Sequence, residues 1–444
     1  MNGKPLPIIA VLGASGLIGQ TVAMQLMQEG FRVVPVARHF TSGQISVFAD
    51  AATKKPIVDL DDDALRHFVA ELKPDIVVNC IGALQDSSRR GTVQDTHAGF
   101  VARLVKAMAS PEKSCLLVHL SIPGNEEDDR TAFSTTKRDA ERVIQNASAP
   151  FVILRPGFVV APVAYGGSAL IRALATLPFD LAEQEAHRPF AATDVADITA
   201  TIAVVAKRWR DGEQRWNAVW DVMERAPSTV DGVIAEFRQH LDGPARRLRL
   251  PSWLMGLGAR AGDLVTRLGW SPPIRSTALA ELRRGVTGDP QPWITATAIE
   301  PASLKSALSR LPATVQEKWF ARLYLLKSLI LGVLVLFWAV SGIIPLTVAF
   351  DAASAILTEH GAQLFMAQTI TVASSLADIA IGAAIAIRRT TRVGLIAGIA
   401  LSVAYMASAA IIMPALWLEP LGALVKTGPA IVLMLVALAV MDER

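Results

Sequence analysis

Residues 328–444 carry only 11 charged side chains, five basic and six acidic. That scarcity constrains the fold more than any other feature of the 444-residue chain. A water-soluble domain covers itself with charge; this stretch has almost none to spare. The rest of the chain behaves differently. Residues 1–245 hold 25 basic and 29 acidic residues, net −4, and residues 246–327 hold 13 and 5, net +8. The overall charge of +3 therefore conceals an acidic soluble domain, a basic collar and a membrane domain. A simple cytosolic enzyme, a disordered chain and a dedicated nucleic-acid binder are all excluded by this pattern.

Four apolar stretches, 328–350, 364–387, 393–413 and 421–441, meet the length of about 20 residues needed to cross the hydrocarbon core. Lys318, Arg322 and Lys327 precede the first, and Arg388, Arg389 and Arg392 lie between the second and third. The other two connections, 351–360 and 414–420, contain no Lys or Arg. Because basic residues are retained on the cytoplasmic side, the pattern predicts an inner-membrane protein with both termini and the soluble domain in the cytoplasm. No secretory leader is read at the start, where the apolar run 8–12 ends in a glycine turn. The collar is amphipathic in places, with Trp253, Leu254 and Leu257 near Arg260 and Leu264 near Arg267. Its charge suits either contact with anionic headgroups, about 1 kcal/mol per nearby basic residue, or helices solvated on the soluble domain. Inside the second span Asp378 shares a helical stripe with Thr371, Ser375 and Gly382, while Lys426 falls in the fourth. Either a buried hydrogen bond between helices or a proton or quinone-headgroup site accounts for Asp378, and depth argues against a direct pair with Lys426.

Residues 8–155 alternate strand-like runs (8–12, 32–37, 56–58, 76–78, 116–120, 152–154) with helical ones (17–29, 62–72, 92–109, 135–146). Such alternation predicts a doubly wound, Rossmann-type parallel α/β sheet, here followed by an all-α four-helix transmembrane bundle. The first turn reads Gly13-Ala14-Ser15-Gly16-Leu17-Ile18-Gly19, with glycines where a backbone must lie against a pyrophosphate at a helix N-terminus. The second strand ends Val36-Ala37-Arg38-His39, without the acid that an NAD ribose requires. Arg38 can fork onto a 2′-phosphate, so NADP (NADPH) is favoured over NAD. The only cysteines, Cys80 and Cys115, provide neither a disulfide framework nor a metal cluster.

These residues, with Asp59-Leu60, Asn79-Cys80-Ile81-Gly82, Ser121, Leu154-Arg155-Pro156-Gly157 and Asp194-Val195-Ala196, give residues 1–245 a resemblance to the extended or atypical short-chain dehydrogenase/reductases. That group includes the nucleotide-binding accessory subunit of respiratory complex I. The resemblance implies Asp59 and Leu60 beside the adenine, Cys80, Ile81 and Gly82 beside the ribose, Lys137 at the ribose, Ser121 as a hydrogen-bonding hydroxyl and Pro156 at the cofactor. Residues 317–444, with Trp319-Phe320-Ala321-Arg322 and the stretch 421–429, resemble the DoxX-like four-helix membrane family. Residues 246–316 remain between them as the collar.

The likeness breaks at the chemical centre. The family's Tyr-x-x-x-Lys pair is Phe133-Ser134-Thr135-Thr136-Lys137 here, and phenylalanine exchanges no proton. His97 stands where relatives have asparagine; His97, His119, Ser134 and Tyr165 are the substitutes to consider for the missing phenol. Three functions remain open: a membrane-tethered NAD(P)H oxidoreductase reducing a quinone or lipid-soluble carbonyl, a non-catalytic nucleotide module that stabilises or assembles a membrane complex, and a transporter-like protein with a nucleotide sensor.

Overall fold

The strand segments are apolar on both faces, and alternate residues feed two different cores. Ile9 and Val11 of β1 (Ile8–Leu12) pack with Val22, Leu26, Ile198 and Trp209, whereas Ala10 and Leu12 pack with Phe68, Leu104 and Ile153. Period-two alternation with both sides apolar is the mark of a strand covered by helices on each face. The computed structural model describes residues 5–86, 91–109, 114–418 and 424–441. The chain divides into two compact units: Met1–Gly262 with Pro273–Ala321, and Asp263–Pro272 with Arg322–Arg444.

In the first unit, β1 is joined by β2 (Arg32–Ala37), β3 (Thr53–Lys54), β4 (Ile76–Asn79), β5 (Leu116–Leu120), β6 (Phe151–Pro156) and β7 (Asn217–Val222). They form one parallel sheet in the order β7-β6-β5-β4-β1-β2-β3. The order reverses between β1 and β4, where Ile9 pairs with both Val33 and Ile76. A doubly wound sheet opens its ligand crevice beyond the carboxyl ends of the strands at this reversal. The helices that matter for the site are α1 (Leu17–Gln28), α2 (Asp62–Leu72), α3 (Phe100–Met108), α4 (Ala132–Gln145) and α5 (Val195–Asp211). Further along lie α6 (Ser252–Thr266) and α7 (Gln291–Thr297).

One strand differs from the sequence reading. Residues 56–58 do not pair; Thr53 and Lys54 do, and Asp59 N–H closes a turn onto Pro56 O at 2.9 Å. Pro56 has no N–H for the ladder, so the strand ends before it.

Among the described residues, three helices are long and apolar enough to cross a membrane: α8 (Val315–Leu346), which enters the second unit at Arg322, α10 (Leu364–Ala386) and α11 (Thr391–Ile412). The connection 351–360, expected as a loop, is largely the helix α9 (Phe350–Glu359), as its run of Ala, Leu and Ile without Gly or Pro favours. The fourth apolar stretch forms α12 (Thr427–Ala439), 13 residues long and so only about 20 Å. Residues 421–423 lie outside the described residues. Pro429 sits in the first turn of α12, and its ring would clash with the Val425 carbonyl if the helix began earlier. Lys426 is therefore an exposed residue just ahead of α12 and not within that helix. Asp378 takes its partner from α11: Tyr405 OH donates to Asp378 Oδ1 at 2.9 Å.

Trp293 on α7 is fully buried in the core that includes Ile198, Ile202 and Trp220, and its Nε1 donates to Thr201 Oγ1 at 2.9 Å. Trp293→Ala should destabilise the first unit by about 3–5 kcal/mol, the usual cost of emptying so large a site. Thermal unfolding of the purified full-length protein followed by near-UV circular dichroism checks it; an unchanged midpoint would remove α7 from the core.

Candidate nucleotide-binding site

The turn between β1 and α1 is set by three glycines with separate duties. Gly13 has φ +81° and is pressed against the β4 loop, where an added Cβ would come within 3.2 Å of both Cys80 C and Ile81 N. Gly16 is the residue that opens α1. Gly19 lies against the turn itself, and a Cβ there would overlap the Gly13 carbonyl, reaching 2.9 Å from its carbon. Gly13 and Ala14 N–H both donate to Val36 O, at 2.9 and 3.0 Å, so the turn is also hung on β2. A backbone held this way presents the start of α1 to an anion. Ser15, Leu17 and Ile18 are half-buried along it. Gln44, which the sequence reading did not single out, donates from Nε2 to Ser15 O at 3.2 Å and to Gln20 Oε1 at 2.7 Å.

The remaining sequence-derived residues fall on the loops after successive strands. Arg38 follows β2, exposed and without an ion-pair or hydrogen-bond partner among the described residues. Asp59 and Leu60 occupy the turn before α2, and Arg103 of α3 grips that turn by donating to Val58 O at 2.6 Å and to Leu60 O. Cys80, Ile81 and Gly82 follow β4; Asn79 Oδ1 accepts from Ile81 N–H at 3.1 Å and shapes the loop. Ser121 follows β5 and Pro156 ends β6. Parallel strands put all of these on one edge of the sheet, although Arg38 and Asp59 stand at its rim while Ser121 and Lys137 are buried.

Lys137 joins the loops. From α4 its Nζ donates to Leu120 O at 2.8 Å and approaches Ile81 O at 3.5 Å. Burial pushes its ammonium down to about 8, against the opposing pull of Cys80 and Glu141. Burial likewise pushes the Cys80 thiol up to about 12, with Lys137 pulling the other way.

Two of the substitutes for the missing phenol, His97 and Ser134, are occupied otherwise, while Tyr165 is half-buried just ahead of the helix Gly167–Thr176. His97 lies in a π-helical turn, Asp95–Gly99, that leads into α3. Its Nε2 accepts from Ala83 N–H at 3.0 Å, and its Nδ1 is 2.8 Å from Thr136 Oγ1. That arrangement fixes a neutral ring with the proton on Nδ1, and burial, aided by the Lys137 charge, lowers its pKa to about 3. Such a ring donates no proton from Nε2. Ser134 is consumed in capping: Thr131 and Ser134 form a reciprocal box at the start of α4. His119 is buried, its Nδ1 3.2 Å from Asn79 Nδ2 and its Nε2 without a partner. Burial holds it well below the usual histidine range. Ser121 Oγ is also buried and makes no hydrogen bond at a bonding distance. Phe133 packs edge-on against His97, 5.7 Å between ring centres.

Beside this centre runs an ion network that sequence reasoning missed. Glu141 takes both Nε and Nη2 of Arg155, at 2.9 and 2.5 Å, and lies 3.4 Å from Arg138 Nη1. Burial alone would raise the Glu141 carboxyl, but the Arg155 hydrogen bond and charge hold it below its ordinary value. Arg138 and Arg284 in turn share Asp129, at 2.9 and 2.7 Å. The four-residue spacing from Lys137 to Glu141 puts both on one face of α4 and could have flagged Glu141; nothing local points to Arg284. A cavity of about 620 Å³ opens on this network, lined by Arg138, Glu141, Arg142 and Arg155 among others. It involves none of the glycine-turn residues and is a separate feature from the nucleotide crevice.

Residues 9–177 match the NAD dependent epimerase/dehydratase family, and residues 335–435 match the DoxX-like family. No curated protein matches the sequence at a significant level. The fold is similar to UDP-glucuronic acid 4-epimerase from Bacillus cereus, solved with UDP-glucuronic acid and NAD, at TM-score 0.51 and 14% identity over 71% of this chain and 100% of that one. It is also similar to the Bordetella bronchiseptica enzyme WbmG in complex with NAD, at TM-score 0.52 and 14% identity over 72% and 96%. UDP-glucose 4-epimerase from Thermotoga maritima gives TM-score 0.50 and 14% identity over 68% and 97%. At these identities the likeness is one of fold. The chain thus joins an N-terminal nucleotide-binding domain of the epimerase and short-chain dehydrogenase type to a C-terminal DoxX-like membrane domain.

Proposed function

We propose that the protein is a membrane-anchored oxidoreductase that binds NADPH in preference to NADH and reduces a quinone or another lipid-soluble carbonyl at the cytoplasmic face of the inner membrane. The observation that carries this reading is an intact glycine cradle beside a centre that has Phe133 at the tyrosine position and a His97 ring whose Nε2 is an acceptor. The cradle fits a dinucleotide: without a Cβ at Gly13 or Gly19 the turn lies close against β4 and the start of α1, and Arg38 is exposed and unpaired where a 2′-phosphate would need it. In this reading Gly13, Ser15, Gly16, Leu17, Ile18 and Gly19 hold the pyrophosphate. Asp59 and Leu60 border the adenine, and Cys80, Ile81, Gly82 and Pro156 line the nucleoside end. The bound cofactor supplies a hydride to an electrophilic acceptor. Lys137, with two of its three donors on carbonyls, keeps one for a ribose hydroxyl. Ser121 offers its buried hydroxyl, beside the Glu141 carboxylate, to the acceptor oxygen. A quinone draws its protons from water after reduction, so it tolerates Phe133 in the tyrosine position better than a ketone does. Cytoplasmic placement rests on Arg388 and Arg389 in the short connection after α10 and on Arg392 in the first turn of α11.

The same Phe133 and the neutral His97 favour a second reading, a non-catalytic NADPH-binding module that stabilises or assembles a membrane respiratory complex. Purified protein in lipid nanodiscs, given NADPH and a short-chain quinone, separates the two. Quinone-dependent loss of NADPH absorbance supports the oxidoreductase; tight NADPH binding without turnover leaves the module; no binding sinks both.

Wild type should bind NADPH more tightly than NADH, and Arg38→Ala should weaken NADPH alone by about 10–100-fold, as losing a charged pairing of roughly 1.5–3 kcal/mol implies. Equal affinities in wild type would refute the preference, and titration calorimetry measures both. Lys137 adds a pH dependence. Its charged form is the one that serves a ligand hydroxyl, so affinity should hold below pH about 8 and fall above it. In Lys137→Met the step should vanish. Phe133→Tyr should create or raise reduction of a generic ketone; rapid ketone turnover by the unmodified protein would show that another residue already supplies the proton.

A further inference from the structure

α6 is packed the wrong way round for a soluble helix. At 100° per residue, Trp253, Leu257 and Leu264 fall within about 40° of one another, with Leu254 and Val265 beside them, and Leu268 follows in the turn that ends the helix. All six are exposed, Trp253 at 69% and Leu264 at 60%. The face that is buried consists instead of Ala259 and Gly262, on the opposite side of the helix. Gly262 is there because the backbone of Ile274 comes so close that an added Cβ would overlap its carbonyl. Small residues thus let the helix be held by its back, while its large apolar side chains point outward.

Two further observations identify what those side chains meet. Arg260 and Arg267 border the stripe on one side, both exposed and neither in an ion pair among the described residues. The turn that ends the helix is fastened to the connection between α10 and α11. Arg388 N–H donates to Leu268 O at 3.0 Å, Trp270 Nε1 donates to Ala386 O at 2.7 Å, and the Arg388 guanidinium lies over the Trp270 ring at 5.1 Å. That connection joins two helices long and apolar enough to cross a membrane, so it lies where spans emerge into the headgroup layer, and it carries Arg389, with Arg392 following in the first turn of α11. Tryptophan and arginine are the residues that settle at that depth.

We infer that α6 is an interfacial helix that lays Trp253, Leu257, Leu264 and Leu268 into the headgroup region of an anionic bilayer, with Arg260 and Arg267 against lipid phosphates. An apolar face edged by cations is the pattern of a helix lying in the membrane plane, where apolar burial and attraction to anionic lipid act together. The inference stands independently of the proposed chemistry, because it concerns lipid and not the nucleotide.

The test uses full-length protein in nanodiscs, with Leu257→Cys and Leu264→Cys each labelled with bimane and Gln214→Cys as an exposed control. Wild type sets the labelling background of Cys80 and Cys115. Doxyl-labelled phosphatidylcholine should quench both helix labels at least about threefold more than the control, and aqueous iodide should do the reverse. Arg260→Glu with Arg267→Glu should reduce lipid quenching in discs containing phosphatidylglycerol. Iodide quenching equal to the control would overturn the inference. So would protection from both quenchers, which would mean that a second copy or another protein covers the stripe.

Discussion

The close approach of Gly19 to the Gly13 carbonyl is the constraint on which the first unit's crevice depends. It lets α1 start directly behind β1, with no longer loop between strand and helix. Because Gly13 N–H and Ala14 N–H are both held by Val36 O, the turn cannot swing away from β2. Because Gly13 also abuts Cys80 and Ile81, it cannot swing away from β4. The turn is therefore pinned from both sides of the point where strand order reverses. A side chain at Gly13 or Gly19 would push those backbones apart, so the geometry of three strands rests on two missing methyl groups.

Lys137 performs a similar service for charge. One ammonium, buried between Leu120 O and Ile81 O, contributes to the lowered pKa of both His97 and His119 and opposes the rise at Cys80. With His97 locked between Ala83 N–H and Thr136 Oγ1, the centre holds one cation and two neutral imidazoles. Glu141 is within electrostatic reach of Lys137, but its carboxylate is already committed to Arg155. The cost of burying Lys137 is offset locally by backbone carbonyls and by that flanking anion, a pattern that preserves a charge for binding and leaves little for acid–base exchange.

Much of this was legible in the chain. The β1 and β2 segments were read at their observed bounds, because buried parallel strands are continuous apolar runs that end at glycine or charge. The glycine turn was legible for the same reason: no other residue type fits there. Pro56 hid the true position of β3, since apolar content outvoted a missing N–H. Arg103, Thr136 and Arg284 were invisible, as each reaches a partner through the fold and not through spacing. Ser134 and His97 looked like chemistry because polar groups near a catalytic segment usually are; only their hydrogen bonds reveal that one is a cap and the other a strut.

The membrane unit obeys a different rule. Lipid tails give apolar helices no reason to leave them for one another, so association depends on close packing and on polar contacts. Both are present. Gly342 of α8 lies where a Cβ would overlap Ser375 O and come within 2.7 Å of Ile379 Cγ1, which brings two backbones together. Trp338, one turn earlier, is buried with Leu395 and Met434 and supplies the bulk that the glycine lacks. The Tyr405–Asp378 hydrogen bond then ties α10 to α11 at 2.9 Å, on the same buried stripe as Thr371 and Ser375. A carboxyl group facing lipid at that depth would cost about 2.5–3.5 kcal/mol even on insertion scales, so its inward placement also fixes the rotation of α10. The polar stripe thereby determines which face of an otherwise uniformly apolar helix is the inside.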